Sequence, residues 1–161
     1  MTVSEMAYPH LGLLSFQQAT TAGLIDPRPA KYDQGLLLLV DQPDENMRIT
    51  YALAERGVVK GTVLFVPAES YDEEPRFSVG YGVAEPFRGQ GIATDLLKRS
   101  INDLSQGFNS RPFWLEAIVD QTNVASRRVC EKVVTSEAEA MSELISGRPA
   151  LNFLTRVSAP R

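Results

Sequence analysis

The chain has 161 residues, about the size of one ordinary domain, and is long enough to bury a real core without staples. Its apolar fraction of 43%, charged fraction of 22% and net charge of −4 are those of a soluble globular protein and argue against a nucleic-acid binder, which carries a basic face. One cysteine, Cys130, and one histidine, His10, exclude an intrachain disulfide and a typical structural zinc site, and point to a reducing, cytoplasmic setting.

The opening stretch, MTVSEMAYPHLGLLSF, has no basic segment followed by an apolar core, so no signal peptide is expected. Leu14 to Ala19 suggests a short helix. Residues 20–35 are broken by Gly23, Pro27, Pro29 and Gly35, and no further element is placed there. The longest apolar run, Leu36 to Val40, is far short of a membrane span, so no membrane association is expected.

From Met47 the pattern is clearer. Met47 to Glu55 alternates in part, Arg56-Gly57 signals a turn, and Val58 to Val66 reads as the returning strand of a hairpin. Ala68 to Pro75 reads as a polar, acidic loop. Arg76 to Val83 is a third strand; the glycines at 80 and 82 suggest a bulge or a ligand's close approach. Gly91 to Leu104 is predicted helical, since Ile92, Leu96, Leu97, Ile101 and Leu104 form one stripe, with Gly107 as its stop. Pro112 to Val119 reads as a buried strand. Asn123 can cap a helix carrying Val124, Val129, Cys130 and Val133. Glu137 to Ile145 reads either as a continuation of that helix or as a strand. A turn at residues 146–149 leads into a final strand, Ala150 to Val157. This order argues for an α/β or α+β fold with a mixed sheet.

The segment from Val83 to Ala93 ends a strand, passes through Arg88-Gly89-Gln90-Gly91 and enters a helix. The first turn of a helix offers unpaired N–H groups and the positive end of the dipole. Glycines at 89 and 91 let backbone approach an anion closely, and Arg88 adds charge. On these residues alone three readings stand: an ordinary helix start, a dinucleotide fold, or a coenzyme A site. Gly80-Tyr81-Gly82 and Gly89-Gln90-Gly91 are each half of a dinucleotide fingerprint, but neither completes it.

Arg88-Gly89-Gln90-Gly91-Ile92-Ala93 resembles the GNAT superfamily pattern Gln/Arg-x-x-Gly-x-Gly/Ala. Downstream, Asn123-Val-Ala-Ser126-Arg-Arg-Val-Cys-Glu131-Lys132 resembles the family's Asn-x-x-Ser-x-x-x-x-Glu-Lys. Both motifs lie within residues 76–134. Ser126 and the Gly80-Tyr81 strand look most like the branch of the ribosomal-protein alanine acetyltransferases. The resemblance implies a single N-acetyltransferase domain over 1–161. It implies a mixed, mostly antiparallel central sheet, splayed between the strands at 76–83 and 112–119, with helices on both faces. Acetyl-CoA would be the cosubstrate. Backbone at Val83 would pair with its pantetheine arm, N–H groups of Arg88, Gly89, Gln90, Gly91, Ile92 and Ala93 would hold its pyrophosphate, and Asn123 would contact it from the other side, act as an N-cap, or do both. Dimerisation through the C-terminal strands is common in the family.

The implied reaction is direct attack of a primary amine on the thioester. The ammonium, with a pKa of about 10, must first lose a proton. Glu116, inside a buried strand, is the candidate base, directly or through water. Many family members carry a tyrosine seven residues after the motif asparagine as proton donor to the departing thiolate; here that place is Cys130, whose alternative role is small core filler. Ser78 stands where relatives often carry an acid. The family's Glu-Lys-x-Gly-Phe becomes Glu131-Lys132-Val133-Val134-Thr135, which removes a helix-ending glycine. Two functions follow from the residues: an N-acetyltransferase, or an acetyl-CoA-binding module without turnover. A dinucleotide-binding protein is a third. His10 is remote from every motif and is expected at the surface or in packing.

Overall fold

The computed structural model describes residues 9–144 and 146–158, with side chains from Gly12 onward. The side chain of His10, the residue Ile145 and the first eight residues lie outside the described residues.

In chain order the elements are α1 (Pro9–Thr21), β1 (Arg28–Pro29), β2 (Leu37–Asp41), β3 (Arg48–Glu55), β4 (Val58–Tyr71), β5 (Glu74–Val83), a 3-10 turn (Glu85–Phe87), α2 (Ile92–Gly107), β6 (Phe113–Asp120), α3 (Val124–Val133), β7 (Glu139–Ser142) and β8 (Pro149–Val157). The strands form one sheet in the order β1-β2-β3-β4-β5-β6-β8-β7. All neighbours are antiparallel except β5 and β6, which are parallel. No helix among the described residues is long and apolar enough to cross a membrane.

Alternation along the strands divides the side chains between two faces. Tyr51, Val63, Phe65, Phe77 and Val79 bury against Leu96, Leu97 and Leu104 of α2, and Cys130 of α3 joins this cluster. On the other face, Ala52 and Val59 meet Leu13 and Phe16 of α1. Helices therefore cover both faces. Gly61 sets how closely β4 approaches α2: a Cβ there would lie 3.2 Å from Leu96 Cδ2 and 3.3 Å from Ile92 Cγ2. That approach seats the start of α2 against the sheet.

A buried polar link ties α2 to the sheet. Tyr51 Oη donates to Asp103 Oδ2 at 2.6 Å, and Tyr32 N–H donates to Asp103 Oδ1 at 2.8 Å. Asp103 is 4% exposed, so these donors stand in for the water its carboxyl oxygens lose. Tyr51→Phe should lower stability by about 1–3 kcal/mol, the usual cost of a buried acceptor losing its partner. Urea denaturation checks this; a loss below the error of extrapolation would show that water replaces the phenol.

Several local expectations change. The expected loop at 68–75 is mostly strand: β4 runs to Tyr71 and β5 starts at Glu74. Only Asp72 and Glu73 turn, both with positive φ (50° and 62°), as a tight primed hairpin requires. Tyr71 stacks edge-on against Trp114 at 4.7 Å, and Arg156 holds Glu74 through two hydrogen bonds, so the hairpin tip is anchored to β6 and β8. Gly107 closes α2 from within; the left-handed residues that turn the chain are Asn109 and Ser110 (φ 53° and 59°). After α3 the missing glycine is bypassed. Val134 stays right-handed, and the N–H groups of Val134 and Thr135 both donate to the Cys130 carbonyl, at 2.9 and 3.0 Å. The segment after it resolves as a strand, β7, rather than more helix. The run at Leu36–Val40 becomes β2, and α1 is longer than Leu14 to Ala19.

Candidate active site

The sheet opens in the middle. Beta-5 and β6 pair only at Arg76–Trp114, Phe77–Leu115 and Ser78–Glu116, although β5 continues to Val83 and β6 to Asp120. Past that point each strand keeps its outer partner, β4 or β8, and the two diverge. Hydrogen bonding along a strand alternates in direction. Ala84 N–H donates to the Lys60 carbonyl of β4 at 2.8 Å, so Gly82 also faces β4 and the peptide groups of Tyr81 and Val83 face the opening. Unpaired strand backbone costs free energy unless something fills it.

What it opens onto is a cleft of about 750 Å³, lined along β5 from Val79 to Val83 and along β6 from Ala117 to Asp120, with the start of α2 and of α3 at its sides. Most of the expected cofactor residues meet here: Val83, Arg88, Gly89, Gly91, Ile92, Ala93 and Asn123 all line it. Gln90 is exposed and does not.

The loop is built as its glycines suggested. Gly89 and Gly91 both have positive φ, 77° and 76°, and a Cβ on either would meet no protein atom within 4 Å. Gly91 caps α2 without any side-chain hydrogen bond. The first bond into the helix is Asp95 N–H to the Gly91 carbonyl at 3.1 Å, so the N–H groups of Ile92, Ala93 and Thr94 precede it and remain available at the positive end of the dipole. Arg88 folds back, and its Nε donates to the Val83 carbonyl at 3.1 Å. That oxygen is directed to the open side, as the strand alternation requires. Across the cleft, Asn123 Oδ1 accepts from Ser126 N–H at 3.1 Å, so Asn123 is an N-cap that also lines the cleft. Its amide nitrogen is not used in capping.

Two expected catalytic residues stand back from the opening. Cys130 is fully buried and does not line the cleft. Burial pushes its thiol up to about 11, so it stays protonated near neutral pH. Between Cys130 and the cleft lies Tyr81 of β5. Its hydroxyl donates to the Ser126 carbonyl at 2.8 Å and sits 2.8 Å from Ser126 Oγ and 3.0 Å from Cys130 Sγ. Burial, reinforced by the neighbouring thiol, raises the Tyr81 pKa and keeps the phenol protonated. In the sequence Tyr81 stands out only within the Gly80-Tyr81-Gly82 pattern and the strand that resembles the ribosomal-protein alanine acetyltransferases, and neither marks it as catalytic. The usable signal was one large side chain between two glycines in a strand.

Glu116 is 3% exposed and lines neither the cleft nor the cavity on the α1 side of the sheet. Arg76 Nη1 lies 3.6 Å from its Oε2, and Asn152 Nδ2 donates to it at 3.0 Å. Beside it, Arg76 Nε and Asn152 Oδ1 are buried without a hydrogen-bond partner among the described residues. Glu116 pairs with Ser78 and so shares its face, the face of Gly80.

The sequence matches the model of the Acetyltransferase (GNAT) domain over residues 10–133, well over half of the chain. The chain belongs to the GNAT acetyltransferase family. A search of curated proteins returns no significant match. Among solved structures, this GNAT domain is similar to Mycobacterium smegmatis RimJ in complex with CoA-disulfide, at 21% identity and a TM-score of 0.56, covering 68% of this chain and 53% of that one. It is also similar to the ribosomal-protein-S5-alanine acetyltransferase of Vibrio fischeri, at 13% identity and 0.55, covering 72% and 64%. A third is yncA of Salmonella typhimurium, described as a putative acetyltransferase with its cofactor acetyl-CoA, at 21% and 0.51, covering 72% and 69%. At these identities the likeness establishes the fold. The chain spans about half the length of the RimJ protein and under two thirds of the Vibrio enzyme. The GNAT domain's single-domain, mostly antiparallel open sheet with helices on both faces is the architecture that the two motifs implied.

Proposed function

We propose that this chain is an acetyl-CoA-dependent N-acetyltransferase that moves an acetyl group to a primary amine by direct attack in a ternary complex. One observation carries the reading: two strands of one sheet part and turn peptide groups without strand partners into a cleft that ends at a glycine-built helix N-terminus with no side-chain cap. Such a cleft suits a long, amide-bearing ligand with a phosphate end. The pantetheine amides pair with strand backbone at Tyr81 and Val83. The pyrophosphate sits on the N–H groups from Gly89 to Ala93. Asn123 Nδ2 closes the far side.

The chemistry needs three things. A backbone N–H facing the opening, from Tyr81 or Val83, stabilises the oxyanion of the tetrahedral intermediate. The amine loses its proton to Glu116 through water: strand geometry puts Glu116 roughly 8 Å from Gly80 on the same face, too far for direct transfer. The departing thiolate takes its proton from the Tyr81 hydroxyl rather than from Cys130, because Tyr81 lines the cleft and Cys130 stands behind it.

This division has a direct check. Cys130→Ala should keep at least about a tenth of wild-type kcat, whereas Tyr81→Phe should lower kcat more than about tenfold with acetyl-CoA binding retained. The reverse order, in folded variants, would return the donor role to Cys130. Glu116→Gln should lower kcat by about tenfold or more with acetyl-CoA binding retained; an unchanged kcat would leave Glu116 as a structural partner of Arg76 and Asn152 only. The reading as a whole is tested by release of free CoA from acetyl-CoA over a panel of primary amines. Tight binding with no release for any amine would favour a binding module instead.

A further inference from the structure

A second cavity, of about 190 Å³, lies on the opposite face of the sheet, beneath α1. Its floor is a row of directly paired residues: Leu39 opposite Thr50, Thr50 opposite Leu64, and Leu64 opposite Gly80. Gly80 lines this cavity and the cleft alike, so the two spaces meet at one residue that has no side chain to separate them. Over the floor, α1 presents Gly12, Ser15 and Ala19, all small, while Phe16 and Leu39 make the walls apolar. At the far rim, two residues along the strands, Arg48 and Asp41 form a two-pronged ion pair. Arg48 Nε donates to Oδ1 at 3.0 Å and Nη2 donates to Oδ2 at 2.7 Å. The pair is only partly covered, 40% and 27% exposed, so a ligand can reach it.

We propose that this cavity takes the acceptor, its amine at Gly80, and that the Asp41–Arg48 pair selects amines whose far end is neutral and amide-like. The proposal rests on the acetyltransferase reading and adds the acceptor's chemistry to it. Strand spacing puts the Cα atoms of Arg48 and Asp41 roughly 12 and 16 Å from that of Gly80, so an acceptor carries its amine and its far group roughly 12 Å apart. The apolar floor fits a hydrocarbon or side-chain body between them. The rim itself has no net charge. A second ammonium would gain from Asp41 and lose to Arg48, at nearly equal distances; a carboxylate would meet the same cancellation with the signs reversed. An amide matches both partners at once, its carbonyl accepting from Arg48 Nη1 and its N–H donating to Asp41.

Three acceptors of one length separate these cases: 8-aminooctanamide, 8-aminooctanoate and 1,8-diaminooctane, each assayed by release of free CoA. Wild type should favour the amide by about tenfold in kcat/KM over either charged amine, a ratio equivalent to one well-made polar contact. Arg48→Met leaves Asp41 alone and should move the preference to the diamine. Asp41→Asn leaves Arg48 alone and should move it to the carboxylate. The opposite shifts of two conservative variants are not produced by loss of fold, and a matched Tm for the acetyl-CoA complexes guards that point. An order of acceptors that neither variant changes would overturn the proposal, as would binding of acetyl-CoA with turnover of none of the three. Failure to bind acetyl-CoA at all would instead overturn the transferase reading beneath it.

Discussion

Gly80→Val should lower kcat/KM by about 100-fold or more while acetyl-CoA binding changes far less, because misplacement by even an ångström at the reacting centre costs that much. Gly80 sits where the strand row of the α1-side cavity reaches the parted edge of the sheet, and it lines both spaces. A valine side chain there points to the α1 face, into the only described junction between the α1-side cavity and the cleft. The backbone of β5 is extended, which valine tolerates, so the fold should survive. The decisive comparison is steady-state kinetics beside acetyl-CoA titration on the same variant. Wild-type turnover by a folded Gly80→Val protein would mean that the acceptor does not approach through this face.

Gly91→Ala should weaken acetyl-CoA binding by about tenfold or more and cost only about 1–2 kcal/mol of stability. The stability cost comes from the left-handed φ of 76°, which an alanine adopts with strain. The binding cost has a different origin. No protein atom lies within 4 Å of a Cβ at Gly91, so the added methyl meets nothing in the free protein. It occupies the concavity in front of the first-turn N–H groups of α2, where a pyrophosphate would lie. Calorimetric titration measures the affinity and thermal unfolding measures the stability. If affinity falls only as far as stability does, the loop is an ordinary helix start and the anion binds elsewhere.

How much was legible follows from the range of each interaction. The conformation of the loop before α2 was readable because its determinants are local: two glycines that need positive φ, then a 3.6-residue apolar stripe, all within residues 88–104. Asn123 was readable for the same reason, its side chain reaching Ser126 three residues away. Tyr81 was not, because its partners Ser126 and Cys130 stand 45 and 49 residues downstream. The tip of the β4–β5 hairpin was misread as a loop because its acidic residues looked solvated, whereas Arg156, 82 residues on, pairs with Glu74. Beta-2 was passed over because its apolar run lacks alternation, and with it went Asp41 and the rim of the second cavity.

The sequence by itself determined the family, the strand–helix order of the central region and the glycine-built loop that opens α2, since backbone conformation at glycine and one-sided periodicity need only neighbours in the chain. The tertiary structure alone decided where the sheet parts, that Gly80 joins two cavities, that Tyr81 stands in front of Cys130, and that Glu116 lies beside Arg76 and Asn152. These depend on which strands pair and where pairing stops. Hydrogen bonds between distant segments settle that, and a local pattern carries no record of them.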